Sequence, residues 1–524
     1  MTHAGVDGHA GVSVTADDAV CAHLDEAEID VRCTGWDGQP PTDRPTQALV
    51  GRSESFPAAG VIAWCPSVSP AAVYDRGLDP ILPDAPPSMA LTLAGLITQL
   101  LAADGTPTDH LLVINADGHT DRIPVYPPPL PRDAPVTAGV VGDDLGAAID
   151  AAETAVDPHV GLIAAVSEEA SNPLPYYLAQ LAAHPAAHAD QPGRLAAGVG
   201  LEWDRAYMRA LGEALERYAA SIYDPHAFEQ APPGAIEPAV SLSQVVRPSS
   251  AIPPSLPWVS GLDLLTRAAI AVPAGLVYHP PPGPTVRPPI TTGLALARSR
   301  PSAIYKGLLE VLERDALMRM WYGDAPAHRV TLATDRIDAV RARLRAVDLT
   351  VACWALPTDL GVPVCVAAVH RSSGYPHCAF GSAAAATPTA AAEHAVIEAT
   401  QNWMELDAMG PEKTAATYDG VAQYAAAPEA AFDALPGPDE AVGLESIIAP
   451  GPADLESLIG QIASHELDAV AVSLTTADLR VLGFEVVRAI IPTAQPLFLG
   501  EPYFGDRVSA DASVIHTRRP HPFP

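Results

Sequence analysis

Tyr305–Trp321 reads YKGLLEVLERDALMRMW. As a helix it is apolar over most of its circumference, yet it carries Glu310, Glu313 and Arg314. Spacings of three and four place such groups on one helical face. A helix this apolar on its other faces belongs in the interior. A carboxylate taken inside is costly unless a cation or hydrogen-bond donors compensate it.

Two further stretches repeat the pattern. Ala206–Ala220 (AYMRALGEALERYAA) carries Glu213, Glu216 and Arg217, and Ala390–Trp403 (AAAEHAVIEATQNW) carries Glu398 and Gln401. One Glu-x-x-Glu-Arg is ordinarily a solvated helix face with an ion pair worth about 0.3–0.5 kcal/mol. Two copies and a Glu-x-x-Gln variant, each inside an apolar helix, point instead to carboxylates converging from different helices. Hard cations such as Mg2+ with bound phosphates require that arrangement.

Around these stretches, Ala/Leu helices are expected near 144–154, 204–221, 301–321, 388–406 and 453–464. Val/Ile strands are expected near 350–355, 363–369, 469–474 and 483–490. The mixture predicts an α/β or α+β domain from about residue 140 onward. Residues 1–88 are rich in Pro, Gly and Asp, with short apolar runs such as Gly60–Trp64 that can form a few strands. Met89–Ala103 reads as a helix, and His110–Asn115 with Thr120–Tyr126 as a hairpin. Pro127–Pro135 (PPPLPRDAP) reads as a linker, because proline cannot continue a ladder.

The chain has 524 residues, enough for about two to three domains. It carries 62 acidic and 30 basic residues, a net charge of -32, and its lysines are Lys306 and Lys413 alone. So negative a surface repels phosphate backbones and excludes nucleic-acid binding through a general basic face. The acid excess fits a protein hydrated in concentrated salt, and equally a GC-rich genome that replaces lysine by arginine. Six cysteines form no CxxC pair or zinc spacing, which predicts scattered thiols in a reducing compartment. The start MTHAGVDGHAG lacks a basic region followed by an apolar core, and no run reaches about 18 apolar residues. No signal peptide, no membrane span and a cytoplasmic location are therefore expected.

These segments resemble the YcaO family of ATP-using enzymes that act on peptide backbone amides, over roughly residues 140–524. GVGLEWDRAYMRALGEALERY (198–218) looks like the family's first nucleotide-binding block. TTGLALARSRPSAIYKGLLEVLERDA (291–316) looks like the second, and FGSAAAATPTAAAEHAVIEATQNW (380–403) like the third. The resemblance implies a YcaO-type ATP-binding domain over 139–524. The small mixed α/β region at 1–138 then reads as a docking or remnant adenylating-enzyme-like domain that lacks that partner's metal-binding cysteines. It further implies ATP and Mg2+ as cofactors, with Glu213, Glu216, Glu310 and Glu313 as metal ligands. Arg217 and Arg314 would pair with phosphate or brace the carboxylates, Arg298 would meet phosphate, and Glu398 and Gln401 would complete the ATP site. Pro520-His521-Pro522-Phe523-Pro524 resembles the proline-spaced tail of the azoline-forming cyclodehydratase (D-protein) branch, where the tail reaches the active site. This makes Pro524 a candidate catalytic residue.

The implied reaction forms thiazoline or oxazoline rings from Cys, Ser or Thr of a ribosomally made precursor peptide. A leader-peptide-binding partner protein is implied, as is a homodimer, with neither nucleic acid nor membrane. Several positions depart from the family pattern. Arg209 stands for a serine, Thr291-Thr292-Gly293 for Ser-Asn-Gly, Arg298 for an asparagine, Ser302 for a glutamate and Val199 for a lysine. Ser302 removes a charged ligand, whereas the Arg298 guanidinium suits phosphate directly. These departures leave open a non-catalytic docking scaffold. A thioamide-forming relative is a third reading, against which the proline tail argues.

Overall fold

The computed structural model describes in full residues 129–130, 132, 144–157, 161–170, 172–182, 195–323, 325–418, 420–427, 432, 435, 440–498, 500, 502–508 and 520–523, and the backbone of residue 419. Before residue 129 it describes the backbone of six strands: β1 (Ser13–Thr15), β2 (Arg32–Thr34), β3 (Ala48–Ser53), β4 (Phe56–Trp64), β5 (His110–Ile114) and β6 (Thr120–Pro124). They form one sheet in the order β2-β1-β3-β4-β5-β6, and β5 pairs with β6 as the expected antiparallel hairpin. The helix expected at Met89–Ala103 lies outside the described residues.

Helix α1 (Leu145–Glu153) then leads into three further sheets. A three-stranded antiparallel sheet holds β7 (Ile163–Glu168), β8 (Tyr176–Leu181) and, at its edge, β9 (Leu195–Val199), followed by helix α2 (Trp203–Ser221). The central sheet runs β10 (Glu229–Ala231), β11 (Leu256–Asp263), β19 (Val470–Ser473), β20 (Glu485–Ile490) and β13 (Leu294–Ala297), with β12 (Ala269–Pro273) also paired to β11. Helix α3 (Arg300–Tyr322) follows its edge strand β13. The last sheet runs β17 (Cys378–Ala384), β16 (Val364–His370), β15 (Thr350–Leu356), β14 (His328–Thr331) and β18 (Val442–Gly443). Helix α4 (Asp335–Arg345) joins β14 to β15, and helix α5 (Pro388–Thr417) follows the edge strand β17.

The layers follow from the period of two in the strands. Ala469 and Ala471 face α3, while Val470 and Val472 face α2. Ala352, Trp354 and Leu356 likewise face α3, while Cys353 and Ala355 face α5. Strands covered on both faces must be apolar throughout, which is why these read as unbroken hydrophobic runs. Helix α3 lies between two sheets, and its all-round apolarity follows from that position. Local signals set where the helices begin. The Ser299 hydroxyl accepts from Ser302 N and the Thr387 hydroxyl from Ala390 N, each 3.3 Å, with a proline in the first turn.

Two expectations change. The helix expected at 388–406 continues to Thr417, across a break where Gly410 takes φ 73° before Pro411. The Pro-rich stretch is more than a linker. The Arg132 guanidinium donates to Leu474 O, to Ala219 O (3.1 Å) and to Ile222 O (2.6 Å). The last carbonyls of α2 have no helical partner, and a buried guanidinium is well suited to satisfy them.

Close approach between helix and edge strand rests on glycine. A Cβ at Gly381 in β17 would lie 2.2 Å from Ala399 N of α5, and one at Gly198 in β9 would lie 2.2 Å from Ala206 O of α2. Gly381→Ala is expected to destabilise the protein by about 1–3 kcal/mol through overpacking. A denaturant midpoint equal to that of wild type would show that β17 and α5 do not pack this closely.

Candidate active site

Strands β9, β13 and β17 each stand at the edge of their sheet, so part of their backbone N–H groups have no strand partner. Carboxylates from the helices meet them. Glu213 of α2 accepts from Ala197 N in β9 at 2.9 Å. Glu216 of α2 accepts from Leu296 N in β13 at 2.6 Å. Glu310 of α3 accepts from Gly293 N, just ahead of β13, at 3.1 Å. Glu313 of α3 accepts from Ala384 N at 3.0 Å and from the Ser382 hydroxyl at 2.5 Å, both in β17. The three acidic helices and the three sheet edges thus enclose one recess.

Charge in the recess is out of balance. Burial pushes Glu216 up to about 8, against the Leu296 hydrogen bond, with the charges of Glu310 and Glu213 adding to the rise. Burial pushes Glu310 up to about 7, although Arg314 opposes it. Glu398 of α5 rises to about 8, again mainly by burial, with Arg314 opposing and Glu313 and Glu310 adding. For Arg314, burial disfavours the charge, but Glu313, Glu398 and Glu310 outweigh that and hold its pKa above the ordinary value. Its guanidinium lies 3.8 Å from Glu313 and 3.7 Å from Glu398. One arginine therefore serves several carboxylates. Glu313 is buried, whereas Glu216, Glu310 and Glu398 are surrounded by protein yet keep partial solvent access, as groups lining a recess do.

The other expected residues fall nearby or at the rim. Arg217 pairs with Glu213 and donates to Leu195 O at 2.6 Å. Gln401 donates to Glu405 Oε1 at 3.0 Å. Arg298 is half-buried at the end of β13. Pro524 lies outside the described residues, but the residues before it are well packed. His521 and Phe523 are buried, and the Phe523 ring lies 6.4 Å from that of Trp321 and 6.1 Å from that of Phe380. The Arg314 charge also bears on His521, whose pKa falls to about 4 chiefly through burial. Residues 520–523 thus pack against α3 and β17 beside the recess.

Two residues of consequence escaped the sequence reading. Glu405 continues the Glu398–Gln401 face by one more turn, and burial together with the Glu213 charge raises its pKa despite the Gln401 bond. Following the three-to-four spacing past Trp403 would have found it. Asp315, next to Arg314 in sequence, points the other way. It pairs with Arg507 at 2.6 Å and accepts from Gln495 N at 2.9 Å, tying α3 to the 495–508 segment. Of the departures, Arg209 donates to Val199 O at 2.7 Å, and Ser302 is engaged with Ser299 in the α3 cap.

The donor set fits Mg2+ with a phosphorylated ligand. Among the described residues no three acidic, His or Cys side chains stand ready as a closed metal cage. Mg2+ keeps several waters and is commonly held by one or two carboxylates together with substrate phosphates, so an open set of carboxylates suits it. Glu216 accepts from a strand N–H and Glu310 from the N–H of Gly293 just ahead of the strand, each through one oxygen, which leaves the other for a cation.

Comparison with known proteins agrees. A family model described as YcaO cyclodehydratase, ATP- and Mg2+-binding, matches residues 197–495, more than half of the chain. An uncharacterized protein of Methanothermobacter thermautotrophicus is 30% identical over 180 residues, covering 33% of this chain and 47% of that one. An uncharacterized protein in the tfuA 3' region of Rhizobium leguminosarum bv. trifolii is 29% identical over 174 residues, covering 28% and 39%. The chain thus spans less than half the length of the curated relatives it matches. A heterocyclase solved in complex with substrate and cofactor superposes with a TM-score of 0.72 at 17% identity, covering 93% of this chain and 81% of that one. The heterocyclase TruD gives 0.60 at 15% identity, covering 93% and 79%. YcaO from Methanopyrus kandleri, bound with AMPPCP and Mg2+, gives 0.50 at 22% identity, covering 68% and 91%. At such identities the structural likeness speaks for the fold. With the family model spanning all three acidic helices, the chain belongs to the YcaO family, whose cofactors are ATP and Mg2+.

Proposed function

We propose that this chain is an ATP- and Mg2+-dependent cyclodehydratase that forms thiazoline or oxazoline rings in a ribosomally made precursor peptide, with a leader-binding partner protein. The observation that carries the proposal is the excess of buried carboxylates over cations in the recess, where Glu216, Glu310 and Glu398 are all pushed to about 7–8. Divalent cations supplied with a nucleotide would restore that balance. ATP would supply the phosphoryl group that turns the oxygen of a substrate backbone amide into a leaving group. The chain's own share is positioning and charge neutralisation. Glu213, Glu216, Glu310 and Glu313 would hold the metals, and Arg314, Arg217 and Arg298 would meet phosphate. Glu398 and Gln401, with Glu405 behind them, would close the far side. Residues 520–523 pack beside the recess, and Pro524 is proposed as a catalytic residue because the proline-spaced tail resembles that of the cyclodehydratase branch.

A docking scaffold without catalysis is the second reading. It is favoured by Ser302, whose place in the helix cap brings no carboxylate to the recess. MgATP binding separates the two. Calorimetry in low and in multimolar KCl should show MgATP binding to the wild type and a loss of about tenfold or more in Glu310→Gln. A folded wild type that binds no MgATP at either salt level would leave only the scaffold. Given a precursor peptide and partner, the enzyme should remove one water per ring formed, read by mass spectrometry. Gain of sulfur in place of oxygen would instead mark a thioamide-forming enzyme.

The pKa values set a pH dependence for the metal-free protein. Glu216, Glu310 and Glu398 bind protons more tightly folded than unfolded, so the folded state holds more protons between about pH 4.3 and 8. Stability is then lost as pH rises through the folded values. His394 and His521, with pKa values lowered to about 4, contribute the opposite slope, but only below about pH 6.5. After chelation, Tm should fall from pH 7 to pH 8.5, fall less in Glu216→Gln, and be largely restored by MgATP. A Tm that climbs over this interval would contradict the buried, uncompensated carboxylates.

A further inference from the structure

Along the free edge of β13 the recess presents a cation beside its carboxylates. Lys306 of α3 is exposed, and its ammonium donates to Leu296 O at 3.3 Å. Leu296 N in turn donates to Glu216 Oε1 at 2.6 Å. In an antiparallel pair, the N–H and C=O of one residue point to the same side. Leu296 stands opposite Val486 of β20 and gives its N–H to Glu216, so its carbonyl also faces away from β20. Lys306 and Glu216 come from different helices, yet they meet the same strand edge at one residue. Glu310 lies one turn on from Lys306 along the same face of α3, and accepts from Gly293 N at 3.1 Å. Burial raises the pKa of Glu216, and the Lys306 charge eases that rise.

Lys306 differs from the arginines around it. Arg314 lies between Glu313 and Glu398, and Arg217 pairs with Glu213. Arg488 spends its donors on the carbonyls of Val277, Ile290, Thr291 and Thr292. An ammonium has three N–H donors, and Leu296 O takes one from Lys306, which makes no ion pair among the described residues. A divalent ion on Glu216 and Glu310 would repel an ammonium on the same edge. A phosphate oxygen arriving with that ion is the anion both cations can share. The residue type fits as well. The chain's lysines are Lys306 and Lys413 alone among 30 basic residues. A guanidinium here would fork onto the Glu216 carboxylate, whereas an ammonium on a flexible stem is a point charge free to turn to an incoming oxygen.

We propose that Lys306 is a phosphate ligand of the recess: it turns from Leu296 O to a phosphate oxygen of the nucleotide whose metal ion Glu216 and Glu310 hold. This role rests on the ATP-dependent reading and adds a cation to its carboxylates. Glu216 and Lys306 then divide the work at Leu296, one taking the metal and the other the phosphate.

The test is calorimetry of the full chain, wild type and Lys306→Gln, with Mn2+ alone and with Mn2+–AMPPCP. Lys306 is exposed, so the ligand-free Tm of Lys306→Gln should equal that of wild type. Its affinity for Mn2+–AMPPCP should fall about tenfold or more, as expected when a charge-assisted contact is lost. Mn2+ alone should bind the variant as tightly as wild type or more tightly, because a repelling charge has gone. Equal affinity of the two proteins for Mn2+–AMPPCP overturns the phosphate contact and leaves the ATP reading standing. Parallel weakening of Mn2+ and Mn2+–AMPPCP would mean that Lys306 merely orients Glu216, and overturns the contact too. A wild type that binds no Mn2+–AMPPCP overturns both.

Discussion

The hydrogen bonds from edge-strand N–H groups to helix carboxylates organise this structure. A sheet edge inside a protein presents donors that must be satisfied, and a buried carboxylate needs donors. Here each problem solves the other. Ala197, Leu296 and Ala384 give their N–H groups to Glu213, Glu216 and Glu313, so β9, β13 and β17 end their sheets without pairing further. The same bonds fix where the carboxylates point. Helix α3 takes part on both sides, since Glu310 bonds next to the central sheet and Glu313 bonds to β17.

That solution is incomplete by design of the recess. Backbone donors satisfy one oxygen of Glu216 and one of Glu310, and Arg314, with Arg488 also facing Glu310 and Glu216, is outnumbered by Glu216, Glu310, Glu313 and Glu398. Stability is given up at the place where a charged ligand would restore it, as is common at functional sites. The surroundings are correspondingly well braced. Arg488 holds the turn that presents Gly293, Asp315 anchors the back of α3 to the 495–508 segment, and Asn402 ties α5 to Phe380 O of β17 at 2.7 Å. Arg132 holds the last carbonyls of α2, so the segment between the first sheet and the family domain is fastened to a helix that carries site residues.

Much of this was readable from the chain. The helices expected near 204–221 and 301–321 are α2 (Trp203–Ser221) and α3 (Arg300–Tyr322), because apolar periodicity and capping signals act over a few residues. The strands expected near 350–355 and 363–369 are β15 and β16 for the same reason. The three acidic motifs were legible as charges inside apolar helices. Glu405 was not, because the third motif seemed complete at Gln401. The role of Arg132 was hidden too, since a Pro-rich composition says nothing about what a single arginine between the prolines will reach.

By itself the sequence determined which segments are helices, which are strands, and that carboxylates on three of the helices would be enclosed. Local backbone preference and hydrophobic period decide those matters, and both act within one turn or one strand. Only the tertiary structure decided the rest. Which strand edge meets which carboxylate, and that Arg132 reaches the last carbonyls of α2, depend on contacts between residues far apart in the chain. The charge balance of a site is a sum over every group that packing brings near, and no spacing along the chain contains that sum.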